Sequence, residues 1–215
     1  MKTILALALM ASASLLECNA ATVGWGSQET NSLGLENGSL APQGSLVRLG
    51  YFTVSDSQVQ LYAAAGNKTN LNSAFQEFGS STVGAGYGLD GVWSDSALNA
   101  NPTFANKQIY YWTLNAATLA AATQWGVFTN PTLAAWKFPV DPSPGFTNTD
   151  LGQVPHDGTG LIVGSFGDGP DENFGAPLYE MTAIPGVEPV PEPSTFAYGA
   201  LAGLVAVCSW KRRRR

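Results

Sequence analysis

His156 is the only histidine of the chain, so any Ser–His–Asp arrangement would have to use it. It sits in Val154-Pro155-His156-Asp157-Gly158, a turn sequence, and reads as a solvated turn residue. The nearest serine with a nucleophile-like context is Gly164-Ser165-Phe166-Gly167, but Val163 stands where a nucleophile elbow needs glycine. Neither cysteine, Cys18 or Cys208, lies between Ala21 and Pro189, so that body has no thiol nucleophile. No GxxxxGK[ST] phosphate-binding fingerprint occurs. Glycosidases need only two placed carboxylates. The acids of the chain show no recognisable spacing, and a carboxylate hydrolase stands as a third alternative.

Oxygen-rich loops suggest calcium. Asp168, Asp171, Glu172 and Asn173 crowd one loop with a glycine, and Asn148 and Asp150 lie in another. Calcium takes six to eight such oxygens, yet neither loop follows the order of an EF-hand. Five tryptophans lie in the body: Trp25, Trp93, Trp112, Trp125 and Trp136. Most sit on or beside strand-like runs and are expected in the core. Trp93, in Gly-Leu-Asp-Gly-Val-Trp-Ser-Asp, is the one expected at the surface, where its ring face could stack on a sugar.

The strongest sequence signals lie at the two ends. Residues 1–20 have Lys2, an apolar run from Ile4 to Leu16, and small residues Cys18 and Ala20 before a cut after Ala20. That is the layout of a secretory signal peptide, read by a Sec translocon and signal peptidase. At the other end, Val190, Pro191, Glu192, Pro193, Ser194 and Thr195 are followed by an uncharged stretch, residues 195–210, and then by the basic tail 211–215. Sixteen helical residues cover about 24 Å, slightly short of a ~30 Å hydrocarbon core. The Lys211 and Arg212–Arg215 side chains can snorkel to extend it. Five cations favour the cytoplasmic side, which puts the body outside the inner membrane. Pro191 and Pro193 hold the segment before the helix extended.

These three ordered parts resemble the PEP-CTERM sorting signal. The resemblance covers residues 190–215 and implies export followed by handling by an exosortase, a membrane cysteine transpeptidase. It implies a passing inner-membrane anchor, then the cell surface or extracellular matrix. If the tail is removed, Cys208 leaves with it, as Cys18 leaves with the signal. The mature protein would then contain no cysteine.

What must position the body residues is a domain over 21–189. Charged residues are only 12% of the 215-residue chain and apolar ones 45%, a balance that speaks for a packed core rather than disorder. Between Ala21 and Pro189, fourteen acids stand against four cations, Arg48, Lys68, Lys107 and Lys137. Such a surface repels nucleic acid, and the acidic pI of about 4.6 agrees. Two Cys and one His exclude a Cys₂His₂ or Cys₄ zinc site. Strand-like runs are expected at 46–54, 59–64, 108–114, 125–129, 133–138, 160–166 and 178–184. In 108–114, Ile109, Tyr111 and Thr113 should face one way and Tyr110, Trp112 and Leu114 the other. Helical patches are expected around Leu71, Phe75 and Phe78, capped by Asn70 and Gly79, and over the Ala-rich stretch 115–124. Residues 24–44 read as a hairpin or loop, and 139–158 as a Pro/Gly/Asp loop.

The fold expected is a single mostly-β domain, an antiparallel β-sandwich or jelly roll with one or two short helices, plus a C-terminal transmembrane helix. The function expected is that of an exported, non-enzymatic surface or matrix protein. The alternative is a carbohydrate-binding module held at the surface, with exopolysaccharide as partner.

Overall fold

The computed structural model describes residues 21–99, 101–140, 145–167 and 177–187. The domain is mostly β, in three sheets. The largest joins β3 (Leu46–Phe52), β4 (Phe75–Thr82), β6 (Tyr110–Leu114), β7 (Gln124–Thr129) and β12 (Thr182–Ala183) in the order β12-β7-β6-β3-β4, and β9 (Leu161–Val163) also pairs with β7. A second sheet has the order β5-β1-β8, from β1 (Ala21–Gly26), β5 (Ser94–Asn99) and β8 (Phe146–Asp150). The third has the order β10-β11-β2, from β2 (Ser32–Gly34), β10 (Ser165–Gly167) and β11 (Leu178–Glu180). Every pair of the largest sheet is antiparallel. However, β1 runs parallel to β8, and β2 parallel to β11. The expected all-antiparallel pairing therefore fails at these two places, where strands far apart in sequence come together.

The central sheet is buried on both faces. Tyr111, Ile109, Val47, Leu49 and Phe128 belong to one apolar cluster, with Val23 and Trp25 of β1 and the loop residue Trp93. Tyr110, Trp112, Leu114, Trp125 and Val127 belong to a second, with Val59 and Ala63 of α1 (Asp56–Ala64) and Leu71 and Ala74 of α2 (Lys68–Ala74). The alternation expected for 108–114 is the one observed. What differs is that helices cover the second face, so all five residues of β6 are buried, as happens when both faces of a sheet are covered. Arg48 lies on this second face. Its guanidinium sits 4.8 Å from the Phe75 ring and 4.6 Å from the Trp112 ring, and bonds Glu77 at 2.5 Å and Asn72 at 2.8 Å.

Several local expectations are overturned. Residues 59–64 are helical, because Ser55 accepts from the Gln58 amide as an N-cap and Asp56 sits in the first turn. Val59 and Ala63, one turn apart, face the core. The helix around Leu71 is capped by Asn67, not Asn70, and ends at Ala74. Phe75 and Phe78 then lie in β4 on opposite faces of the sheet. The β3–β4 register shifts between Leu49 and Gly50, leaving Phe78 as the extra residue of a bulge, and Gly79 pairs with Leu49 inside β4 instead of ending a helix. The stretch 115–124 forms no helix. The Asn115 side chain accepts from the Thr123 and Gln124 amides at 2.9 Å each and closes a loop instead. Lys68 locks that loop through the Ala120 and Ala122 carbonyls. The stretch 133–138 contains a 3₁₀ turn, Ala134–Trp136, and one isolated bridge, Gln108 to Lys137.

The runs 160–166 and 178–184 are each broken into two strands that change sheets. The first breaks at Gly164, which has φ +112°. The second breaks at Met181, whose amide donates to the Gly34 carbonyl at 2.9 Å. Paired corners of this kind let one chain segment serve two sheets.

Candidate functional site

The β1 sequence Ala-Thr-Val-Gly-Trp-Gly alternates. Val23 and Trp25 enter the core, so Thr22, Gly24 and Gly26 turn to the other face of the β5-β1-β8 sheet. The registers then fix what flanks them. Antiparallel β5 sets Leu98, Ser96 and Ser94 beside these three, and parallel β8 sets Phe146, Asn148 and Asp150 beside them on the other side. With no side chain at Gly24, the strand floor is low. A Cβ there would lie 2.7 Å from Asn148 Oδ1 and 3.6 Å from the tip of the Phe146 ring. Glycine is what lets both side chains reach across β1.

The outcome is an open cleft of about 350 Å³. Its rim carries two aromatic rings, Phe146 at 68% and Tyr87 at 54% exposure. It also carries two carboxylates, Asp95 and Asp150. Asp150 is the better positioned of the two. It accepts from the Gly152 amide at 2.8 Å and from Gln28 Nε2 at 3.3 Å, and it caps the 3₁₀ turn Leu151–Gln153. Gln153 Oε1 in turn accepts from the Asp150 amide at 3.2 Å and the Trp136 indole at 2.8 Å. Partial burial raises the Asp150 carboxyl above its ordinary value, and the two hydrogen bonds oppose that rise. Below the cleft, Tyr111 donates to Thr149 Oγ1 at 2.7 Å. Burial pushes this phenol far above its usual range.

Trp93 does not provide the expected exposed platform. Its ring is fully buried against Trp25 and Tyr111, with centroids 6.3 and 5.9 Å away. Ser27 holds its backbone at both ends, donating its amide to the Trp93 carbonyl and accepting the Trp93 amide on its hydroxyl. Trp25, Trp112, Trp125 and Trp136 are core residues. The site residues that sequence reasoning missed are Tyr87, Asp95 and Phe146; Asn148 and Asp150 were singled out, but as a calcium loop. The alternation of Thr147 and Thr149 against Phe146, Asn148 and Asp150 was the available signal, hidden inside a proline-rich stretch.

His156 lies in an exposed turn, as expected. Its ring stacks on Phe166 with centroids 3.6 Å apart, and Nε2 is 3.0 Å from the Tyr179 hydroxyl. That hydroxyl gives its proton to the Val154 carbonyl at 2.8 Å, so the histidine Nε2 is the donor in their bond. Ser165 donates to Glu180 at 2.9 Å instead of meeting His156. The two do not form a nucleophile–base pair. Asp168, Asp171, Glu172 and Asn173, expected to hold calcium, lie outside the described residues. Among the described residues no group of three or more His, Cys, Asp or Glu side chains is placed to hold a metal ion. The second oxygen-rich loop uses its Asp150 as a helix cap.

The sorting residues Val190, Pro191, Glu192, Pro193, Ser194 and Thr195 also lie outside the described residues, as does the expected membrane helix 195–210. Among the described residues no helix is long and apolar enough to cross a membrane. No curated protein and no solved structure matches the chain. One family model does match, the PEP-CTERM protein-sorting motif, over residues 189–215. The chain thus carries, in its C-terminal segment, the motif of exported proteins sorted by an exosortase-type enzyme.

Proposed function

We propose that this is a surface or extracellular-matrix protein whose 21–189 body is a non-enzymatic module delivered by its C-terminal tail. Residues 1–20 are removed on export through the Sec translocon by signal peptidase. The helix 195–210 then holds the chain transiently in the inner membrane, with the basic tail 211–215 inside. An exosortase-like transpeptidase cuts near Pro191 to Pro193. The observation that carries this reading is the sorting motif at 189–215, following a body that packs two apolar clusters among the described residues. Intact-mass measurement of the protein recovered from cells tests it. The expected masses lack residues 1–20 and everything beyond the PEP motif. Glu192→Ala should leave export intact and accumulate an uncut inner-membrane form. Recovery of mature surface protein with its arginine cluster still attached would overturn the sorting reading.

A second reading, a carbohydrate-binding module held at the surface by the same tail, is favoured by one observation. Two large rings stand exposed over a polar cleft.

A further inference from the structure

We infer that the outer face of the β5-β1-β8 sheet binds an uncharged polysaccharide chain, gripped by the Phe146 and Tyr87 rings and by acceptors on Asn148, Asp150 and Asp95. The inference deepens the carbohydrate-binding reading and depends on it, but not on tail processing.

The first argument is the pairing of chemistries. A sugar ring presents a C–H face and a rim of hydroxyls. An exposed aromatic ring suits the face, and carboxylate and amide oxygens suit the hydroxyl protons. Aromatic rings are usually buried, as most are in this domain. Phe146 and Tyr87 are both more than half exposed, line the same cleft, and contact no other aromatic ring or cation among the described residues. Core packing does not explain them.

The second argument is how the cleft is built. Gly24 leaves room for Asn148 Oδ1 and the Phe146 ring tip to lie over the central strand. Parallel pairing with β8 puts Phe146, Asn148 and Asp150 in a single row. Asp150 is aimed by Gln28, the Gly152 amide and the Gln153 cap. A cleft of about 350 Å³ is within the range of ligand sites. Its rings stand open to solvent, which suits a chain lying along the sheet better than a small molecule enclosed by it.

The third argument is charge. No Lys, Arg or His lines the cleft, while two acids do. The body around it carries ten more acids than cations. An anionic glycan would be repelled, so the chain that fits carries hydroxyls without carboxylates or sulfates.

The test is electrophoretic retardation of the full chain, in a nonionic detergent that has no sugar headgroup. Gels would contain hydroxyethylcellulose, dextran or galactomannan, with alginate and chitosan as charged comparisons. At least one neutral polymer should retard the protein, equally at low and raised ionic strength, and alginate should not. The Tyr87→Ala, Phe146→Ala double variant should weaken that retardation about tenfold, the loss expected when two stacking contacts are removed. Asn148→Ala should weaken it less. Leu133→Ala, which removes an exposed apolar side chain outside the cleft, should change nothing. All four side chains are exposed, so the variants should keep the wild-type melting curve. Three results would overturn the inference: no retardation by any neutral polymer, retardation unaltered in the double variant, or binding to chitosan alone that salt abolishes. Failure of tail cutting would leave this assay untouched, and failure of this assay would leave the sorting reading untouched.

Discussion

Asp150 connects local structure to surface chemistry. It ends β8, caps the following turn and lines the cleft, and part of its burial works against its charge. A carboxyl whose folded value is raised binds its proton more readily in the folded state than in the unfolded one. Stability from this group is therefore fully present below the unfolded value and is lost as pH rises through the folded value. Asparagine caps a helix about as well as aspartate and keeps an oxygen for the Gly152 amide. Asp150→Asn should thus melt slightly higher than the wild type at pH 7. The gap should close as pH falls toward about 4, the ordinary aspartate range. Melting curves across that range check it, and a variant that melts lower at neutral pH would contradict the burial argument. Little of this site was legible in the sequence. The expected ring was Trp93, chosen because glycine and aspartate surround it. Those neighbours form the turns that return Trp93 to the core beside Trp25. Phe146 sits in a stretch of proline, glycine and aspartate whose only strand signal is a short alternation, because its strand is made by long-range parallel pairing with β1.

At the level of elements, Gly164 carries more than its neighbours. It turns the chain out of β9, in the central sheet, and into β10, in the third. Its φ of +112° lies in the region that favours glycine, and a Cβ there would run into the Glu180 carbonyl oxygen and approach the Phe128 ring to 3.2 Å. Gly164→Ala should therefore cost about 2–4 kcal/mol, since backbone has to move to relieve it. Urea unfolding measures this. A cost within ~0.5 kcal/mol, typical of a surface change, would mean that the corner is plastic. The strands at 46–52, 110–114 and 124–129 were legible because β-branched and aromatic residues alternate there, and their buried neighbours sustain that pattern. The elements misread were decided by single polar side chains. Ser55 starts a helix where valine and leucine suggested a strand. Asn115 closes a loop where alanines suggested a helix. Phe75 and Phe78 have helical spacing after Leu71, yet they serve opposite faces of one sheet. Apolar spacing over so few residues does not separate these outcomes.

For the whole molecule, charge is the term least compensated by partners. Of the four cations in the body, only Arg48 pairs with an acid among the described residues. Lys68 is bound to the Ala120 and Ala122 carbonyls, and Lys107 lies 5.8 Å above the Tyr51 ring. The body's excess of ten acids over cations therefore goes largely unpaired among the described residues, and its repulsion opposes the compact state. About 170 residues can bury roughly 70% of the unfolded surface, so residues 21–189 should fold on their own, without a disulfide, against that repulsion. Because the repelling groups lie on the surface, salt should screen them effectively over a Debye length of about 8 Å at physiological ionic strength. The melting temperature should rise by about 2–4 °C between low and physiological sodium chloride, the shift that ~1 kcal/mol gives in a domain of this size. Calcium chloride at matched ionic strength separates screening from binding. A further rise, lost on Asp171→Asn, would assign an ion to the loop around Asp168, Asp171, Glu172 and Asn173 and make it part of the fold. Equal melts in the two salts would leave that loop as hydrated acidic surface. A melting temperature that falls with sodium chloride would mean that favourable charge pairs outweigh the repulsion, contrary to the single ion pair seen among the described residues.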